Sequence, residues 1–132
     1  VFAKATSAQY ADVAELYRAD AYYAPGTVLQ FGGEQEVTKC LAPDCSAVAG
    51  VVSEAPAYLM NSGLEHEHAV PLALLGRVKC LVQAPVAKGD LLVSAGDGAA
   101  RTNNQANVGT VIGKSLENAT RDGLVEIVVG KH

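Results

Sequence analysis

Short apolar runs separated by turn residues make up the hydrophobic pattern of this chain from Ala24 onward. The runs cover residues 27–31, 47–53, 69–75, 77–82, 90–93, 110–116 and 124–129. Between them lie turn-forming groups such as Gly32-Gly33, Asn61-Ser62-Gly63 and Asp122-Gly123. Short runs bounded by Gly, Asn and Asp are typical of strands in an all-β domain. The pattern predicts a mainly β protein with a compact barrel-like or sandwich core.

Two glycines with apolar neighbours recur at the same spacing in both halves of the chain. Gly26 precedes Gly50 by 24 positions, and Gly89 precedes Gly113 by 24 positions. Such internal repetition is typical of a supersecondary unit that is used twice. We therefore expect a duplicated β unit. The last run, 124–129, is almost continuously apolar, which indicates a strand covered on both faces by a second sheet or by a partner chain.

The N-terminal part of the chain has a different pattern. Tyr10, Val13, Ala14 and Tyr17 fall on helical spacing, which favours one short N-terminal amphipathic helix. An extended strand over residues 10–17 is the alternative. No linker interrupts the remainder, so residues 10–132 are expected to form a single β-rich domain.

Composition excludes several classes of partner. The 132 residues suffice for one core. Ten Lys and Arg against fourteen Asp and Glu give a net charge of −4 with no basic cluster, which argues against nucleic acid as a partner. No apolar stretch approaches the ~18 residues of a membrane span, so we expect no membrane insertion.

Catalytic motifs are not found in the sequence. No serine lies in Gly-x-Ser-x-Gly, and the three cysteines lack the flanks of known nucleophile motifs. Gly96-Asp97-Gly98 is explained by a hairpin turn, because the Gly-Lys-Ser/Thr of a phosphate-binding loop does not follow it. We therefore expect a protein that is not an enzyme and that uses no cofactor.

The segment Glu65-His66-Glu67-His68 has the character of metal ligands. In a strand, His66 and His68 would share one face. Two imidazoles are too few for a closed zinc site, but three chains around a threefold axis would supply six, enough for octahedral coordination. The hypothesis is thus a metal shared between chains through His66 and His68. The alternative is a solvent-facing segment that happens to carry two histidines.

Three cysteines leave one unpaired in any internal scheme. Cys40 and Cys45 enclose a loop of four residues, short enough for a disulfide between them. Cys80 falls in a predicted strand and is expected to be a buried thiol.

An ordered series of motifs resembles a known family. The motifs are Tyr10-Ala11-Asp12-Val13-Ala14-Glu15, Tyr23-Ala24-Pro25-Gly26-Thr27-Val28, Gly32-Gly33-Glu34, Val48-Ala49-Gly50-Val51-Val52-Ser53 and Ile112-Gly113-Lys114-Ser115-Leu116-Glu117. In this order they resemble the C-terminal domain of bacteriophage tail-fibre and neck-appendage proteins, of the fibre-tip and intramolecular-chaperone types. The resemblance covers nearly the whole chain.

The resemblance implies a virion structural protein, the terminal domain of a tail fibre or appendage, that forms a homotrimer. Residues 1–9 would then be the end of an upstream fibre shaft or a linker. Loops 41–45, 62–68 and 95–106 would face a saccharide or protein of the host surface. The candidate receptor-facing residues on these loops are Asp44, Glu65, Asp97, Asn103 and Asn104. Tyr22, Tyr23 and Tyr58 are the aromatic side chains available for such contacts, with core or interface packing as the alternative.

Two other functions stay open at this point. In the chaperone type of the family, the domain assists trimerisation of the fibre and cuts itself free, although the residues of that cleavage are not recognisable in this sequence. A capsid decoration module is the second alternative.

Overall fold

The computed structural model describes residues 11–130, and every regular element in this range is a β-strand. The ten strands are β1 Asp12–Arg18, β2 Val28–Phe31, β3 Val37–Lys39, β4 Val48–Val52, β5 Tyr58–Met60, β6 Ala69–Val82, β7 Leu91–Gly96, β8 Ala99–Thr102, β9 Val111–Ser115 and β10 Gly123–Val129. The mainly β class is therefore confirmed. No helix within the described range is long and apolar enough to cross a membrane.

The expected N-terminal helix is wrong, because Asp12–Arg18 forms strand β1. This strand pairs antiparallel with β6 on one side and parallel with β5 on the other. The apolar residues that match a helical period here also serve a strand with neighbours on both edges, and tertiary pairing overrides local propensity. Tyr10 and the expected shaft or linker at 1–9 lie outside the described residues.

Strand β6 connects the two halves of the fold. It is 14 residues long, and its two halves belong to different parts of the sheet. Strand β1 pairs with the first half and β10 with the second half, on opposite edges of β6, and the two pairings overlap at Gly76. A Cβ atom at Gly76 would lie 2.5 Å from the carbonyl oxygen of Ala11, so only glycine fits at this point of β6, which has a strand on each side.

The strand pairings close two five-stranded rings that share β6. The first ring runs β6, β4, β2, β3 and β1, and a parallel bridge between Ala19 and Val37 closes it. The second ring runs β6, β8, β7, β9 and β10, with the parallel pair Val82 and Ala100 as its closing contact. Ring closure leaves each barrel without free sheet edges.

The two rings are the two copies of the repeated unit. In the first copy Leu29 pairs with Gly50, and in the second copy Leu92 pairs with Gly113. The second copy follows the first by 63 positions, the distance from Leu29 to Leu92. A register shift follows the pair in both copies. The repeated glycine spacing therefore marks equivalent strand pairs.

Backbone hydrogen bonds repeat with the same offset. Gly26 N donates to Val52 O at 2.9 Å, and Gly89 N donates to Ser115 O at 2.8 Å. Both glycines have positive φ, 96° and 90°, which is the turn conformation that glycine adopts without strain. The expected single core of paired strands is thus two joined barrels.

Alternating side chains of the first copy belong to two different hydrophobic clusters. Leu29 is fully buried in the smaller cluster, together with Val37 and Leu72. Its neighbour Val28 points to the opposite face and joins the larger cluster around Leu92. Because successive residues of a strand face opposite sides, the outer face of the first ring packs against the second ring.

Candidate functional site

The loop 41–45, which follows the first ring's β3, is fastened to strand β7 of the second ring. Pro43 forms a β-bridge with Ala95, and Asp44 N donates to Ser94 O at 2.9 Å. The hydroxyl of Ser94 donates to Ala42 O at 2.8 Å. One of the predicted receptor-facing loops is therefore part of the surface of the second ring.

This loop places Asp44 in contact with both Asn103 and Arg101. Arg101 Nη2 donates to Asp44 Oδ2 at 2.6 Å, and Asn103 Nδ2 donates to Asp44 Oδ1 at 3.3 Å. Asp44 holds a φ of 51°, a conformation that Asp tolerates better than most residues. About two fifths of both charged side chains is exposed, so the pair contributes at most about 1 kcal/mol to folding.

Asn104 has a structural role at the next turn, around Asp90. Its Nδ2 donates to Asp90 Oδ1 at 3.0 Å, while its Oδ1 accepts from Leu91 N at 2.8 Å. Asp90 Oδ2 accepts from Ala87 N at 2.8 Å and from the Thr102 hydroxyl at 2.9 Å. The hydrogen bonds from Asn104 and then from Ala87 N lower the pKa of Asp90, so this carboxylate is ionised and fully used within the fold.

A shallow groove of about 560 Å³ lies between these turns. Its walls come from the segment before β7, from β8 and from the turn after β9. The lining residues are Gln83, Pro85, Val86, Ala87, Asp90, Arg101, Thr102, Asn118, Ala119 and Thr120. The lining combines apolar side chains with amides, hydroxyls and the Arg101 guanidinium, a mixture that is typical of small-ligand sites.

Sequence reasoning found the loops around this groove but missed Arg101 and Asp90. Arg101 is the single basic residue of the predicted loop 95–106, and Asp90 follows the repeated turn glycine Gly89. Both features can be recognised in the sequence. Their importance depends on the docking of loop 41–45, which no local pattern predicts.

The remaining receptor-facing candidates lie elsewhere. Asp97 occupies the turn between β7 and β8 with a φ of 53°, and its Oδ1 lies 3.0 Å from Lys39 Nζ. Glu65 is exposed in the loop between β5 and β6. No hydrogen bond of the described residues links Glu65 to the groove.

The two histidines lie in a loop and a turn that precede β6, so the expectation that they share a strand face is wrong. His66 Nδ1 accepts a hydrogen bond from His68 N at 3.1 Å, which leaves Nε2 as the free ring nitrogen of His66. His68 Nε2 lies 3.8 Å from Glu67 Oε2. The described part of the chain contains no group of three or more potential ligands, and the metal shared between chains stays a prediction.

All three cysteines are free thiols in the structure. Cys40 Sγ points to Ala42 O at 3.9 Å and Cys45 Sγ to Gln30 Oε1 at 3.8 Å, so the Cys40–Cys45 disulfide is not formed here and stays a prediction. Burial raises the pKa of the Cys40 thiol. Cys80 is fully buried as expected, and burial raises its pKa to about 12.

A buried carboxyl at Asp12 was not expected from the sequence. Asp12 is only 2 % exposed, and neither of its side-chain oxygens has a hydrogen-bond partner among the described residues. The Ser53 hydroxyl is buried beside this carboxyl and offsets part of the effect of burial on its pKa, although the two groups do not meet hydrogen-bond geometry. Burial raises the pKa of Asp12, because water no longer stabilises the charged form.

Comparison with known proteins identifies the fold as one found in bacteriophage proteins. No protein-family model and no curated protein matches the chain. The C-terminal fragment of gene product 12 of bacteriophage phi29 superposes with a TM-score of 0.66 at 13 % identity, over 89 % of this chain and 99 % of that one. The N base of the head fibre gp8.5 of phi29 superposes with a TM-score of 0.52 at 17 % identity, over 87 % and 91 %. At these identities the likeness shows the fold alone.

Proposed function

We propose that this chain is a virion structural domain of a phage fibre or appendage, which trimerises and presents loops for attachment to the host surface. The observation that carries the proposal is the near-complete overlap with the gene product 12 fragment, together with a second match that is a head fibre. Agreement over almost the full length of both chains favours a shared architectural role over a chance likeness of one small motif. The role needs no catalytic turnover and no cofactor.

An exposed pair of leucines on the outer face of β6 and β10 supports self-association. Leu81 and Leu124 are cross-strand partners, 37 % and 55 % exposed, whereas the exposed Leu75 is separated from them along β6 by the exposed Arg77 and Lys79. On this face of the run 124–129, Leu124 is exposed whereas Glu126 and Val128 are half-buried. Adjacent exposed apolar side chains are typical of an interface, and we assign the Leu81–Leu124 pair to the interface of the homotrimer.

Attachment is assigned to the groove and its surrounding loops, with a host saccharide or protein as partner. Away from the groove, Tyr22 after β1 and Tyr58 on β5 are 72 % and 64 % exposed, so these two aromatics are available for contacts between molecules rather than packed in the core. Tyr23 is half-buried and packs against the smaller cluster.

The mass of the chain in solution tests trimerisation. A homotrimer of the 13.6 kDa chain has a mass of about 41 kDa by light scattering or native mass spectrometry. The double variant Leu81→Glu with Leu124→Glu should dissociate it. Val108→Glu, at a side chain that is 101 % exposed, is the matched control and should remain a trimer. A monomeric wild-type chain, or equal behaviour of the two variants, contradicts the proposed interface.

Location and attachment are tested on virus particles that carry the chain. Antibody against the purified chain, detected with gold by electron microscopy, should label a projecting fibre or appendage. Purified chain added in excess should slow adsorption of the particles to their host. Label on the capsid surface would instead favour a decoration module, and unchanged adsorption would contradict a role in attachment.

A further inference from the structure

The two thiols at the ends of loop 41–45 lie side by side beneath it. Cys40 is fully buried and Cys45 is half-buried, and both side chains pack in the larger hydrophobic cluster, whereas the residues between them are exposed. Burial is the main cause of the raised pKa of Cys40, and hydrogen-bond contact with the Cys45 side chain raises it further. The loop therefore passes over a pair of neighbouring sulfur atoms.

Backbone hydrogen bonds hold both ends of the loop against the second ring. Cys40 O accepts from Gly98 N, in the turn between β7 and β8, at 2.9 Å. One residue before Cys45, Asp44 N donates to Ser94 O at 2.9 Å. A bond between the two sulfur atoms would thus join residues that are already fixed close together, as a disulfide requires.

Loss of the two thiol protons costs this site little hydrogen bonding. Cys40 Sγ lies 3.9 Å from Ala42 O, which accepts a shorter hydrogen bond, 2.8 Å, from the Ser94 hydroxyl. Cys45 Sγ lies 3.8 Å from Gln30 Oε1, which also accepts from a backbone N–H of the loop at 3.3 Å. Because thiols are weak donors, each acceptor keeps its better partner when the thiol is oxidised.

The third cysteine is separate from this pair. Cys80 is fully buried in β6, its Sγ lies 3.5 Å from Leu81 O, and burial raises its pKa to about 12. Thiol–disulfide exchange needs a thiolate that an oxidant can reach. Cys45 is the most exposed of the three thiols and is therefore the point of entry.

We propose that Cys40 and Cys45 form a redox-active dithiol, which a low-molecular-weight disulfide oxidises to an internal disulfide. The Cys45 thiolate attacks one sulfur of the oxidant, breaks its S–S bond and releases one thiol, which leaves a mixed disulfide on Cys45. The Cys40 thiolate then attacks the Cys45 sulfur and displaces the second thiol. The two cysteines are oxidised, and the oxidant is reduced to two thiols that take up both protons.

The closed form fixes loop 41–45 in the conformation that contacts the second ring. This chemistry belongs to the purified chain and does not depend on the proposed function. The virion role supplies only the setting, since a particle that leaves the reducing interior of a cell meets oxidising surroundings, in which disulfides persist.

Reaction of the reduced chain with glutathione disulfide, followed by intact-mass and peptide mass spectrometry, tests the bond. The chain should lose the mass of two hydrogen atoms, and one peptide should join Cys40 to Cys45. Alkaline pH should speed the second step, because the pKa of the Cys40 thiol is raised. Cys40→Ala should instead keep one glutathione on Cys45, while the control Cys80→Ala should close as the wild type does.

Thermal unfolding and hydrogen exchange test the effect on the loop. The bond closes a ring of six residues, 40–45, so the chain-entropy model predicts that it favours the folded state about 40-fold, a rise in Tm of roughly 8 °C. The amides of the loop should exchange more slowly in the closed form. Cys40→Ala, treated in the same way, should show neither change.

A glutathione that stays on Cys45 of the wild-type chain, a bond that involves Cys80, or a closed form that melts no higher than the reduced form overturns the proposal. Failure in these assays would leave trimerisation and attachment standing, because neither rests on the dithiol. A chain that proves monomeric, or that does not affect adsorption, would in turn leave the dithiol chemistry standing.

Discussion

Gly113 is the position at which one added methyl group should damage the fold most. It pairs with Val129 across β9 and β10 and with Leu92 across β7 and β9. A Cβ atom built on Gly113 would lie 2.2 Å from the carbonyl oxygen of Val128. Because that atom is backbone in the middle of a ladder, no flexible side chain can move aside.

The size of the effect follows from this distance. Side-chain Cβ atoms do not approach other atoms within 3.0 Å, so β10 must retreat by about 0.8 Å from β9. Such a displacement strains or breaks the hydrogen bonds of a three-pair ladder that closes the second ring. We expect Gly113→Ala to lower the free energy of unfolding by about 3 kcal/mol or more. At about 2.1 cal/mol/K per residue this corresponds to a fall in Tm of roughly 10 °C.

Thermal and urea unfolding, followed by far-UV circular dichroism, measure the effect against two other glycines. Gly89→Ala meets nothing within 4 Å but has a φ of 90°, so it should cost about 1–2 kcal/mol from backbone strain alone. Gly63→Ala meets nothing within 4 Å and has no such φ, so it should be nearly neutral. If the free energies of unfolding of Gly113→Ala and Gly63→Ala differ by less than about 1 kcal/mol, the close packing of β9 on β10 is refuted.

Three further outcomes are expected. Asp12→Asn should raise the free energy of unfolding at pH 7 by about 1–3 kcal/mol. Because the pKa of Asp12 is raised in the folded state, the wild type loses stability as the pH increases above about 4. The urea midpoints of wild type and variant should therefore converge in acid, and midpoints that stay apart would contradict this prediction. Cys80 should resist iodoacetamide in the native protein while the half-buried Cys45 reacts, as read by mass spectrometry; early modification of Cys80 would contradict its burial. Asp44→Asn should change the free energy of unfolding by less than about 1 kcal/mol, and a larger loss in urea melts would show that this ion pair fixes the loop.

The sequence was sufficient for the fold class and for the repeat, for a physical reason. Strand residues alternate between two faces and turn glycines need positive φ, so both leave a local mark on the pattern. Gly26 and Gly89 keep that mark in both copies. The helix prediction for Asp12–Arg18 failed because the apolar residues of this segment fit either a helical or a strand period. Pairing with β5 and β6 stabilises the strand.

The candidate site was predicted only in part. Asp44, Asn103 and Asn104 were selected as loop residues, and the structure brings all three to the rim of the second ring. Their roles differ, since Asn104 completes a turn whereas Asp44 holds Arg101. Composition predicts which loops are polar and exposed, but it does not predict which polar groups form hydrogen bonds with one another.

By itself, the sequence determined that this protein is built from strands and that one strand unit occurs twice. These properties depend on residues close in the chain. The tertiary structure decided that each copy closes its own ring around a shared β6. It also decided that loop 41–45 crosses to the second ring and places Asp44 on Arg101. Contacts between distant residues depend on ring closure and packing, which no local spacing encodes.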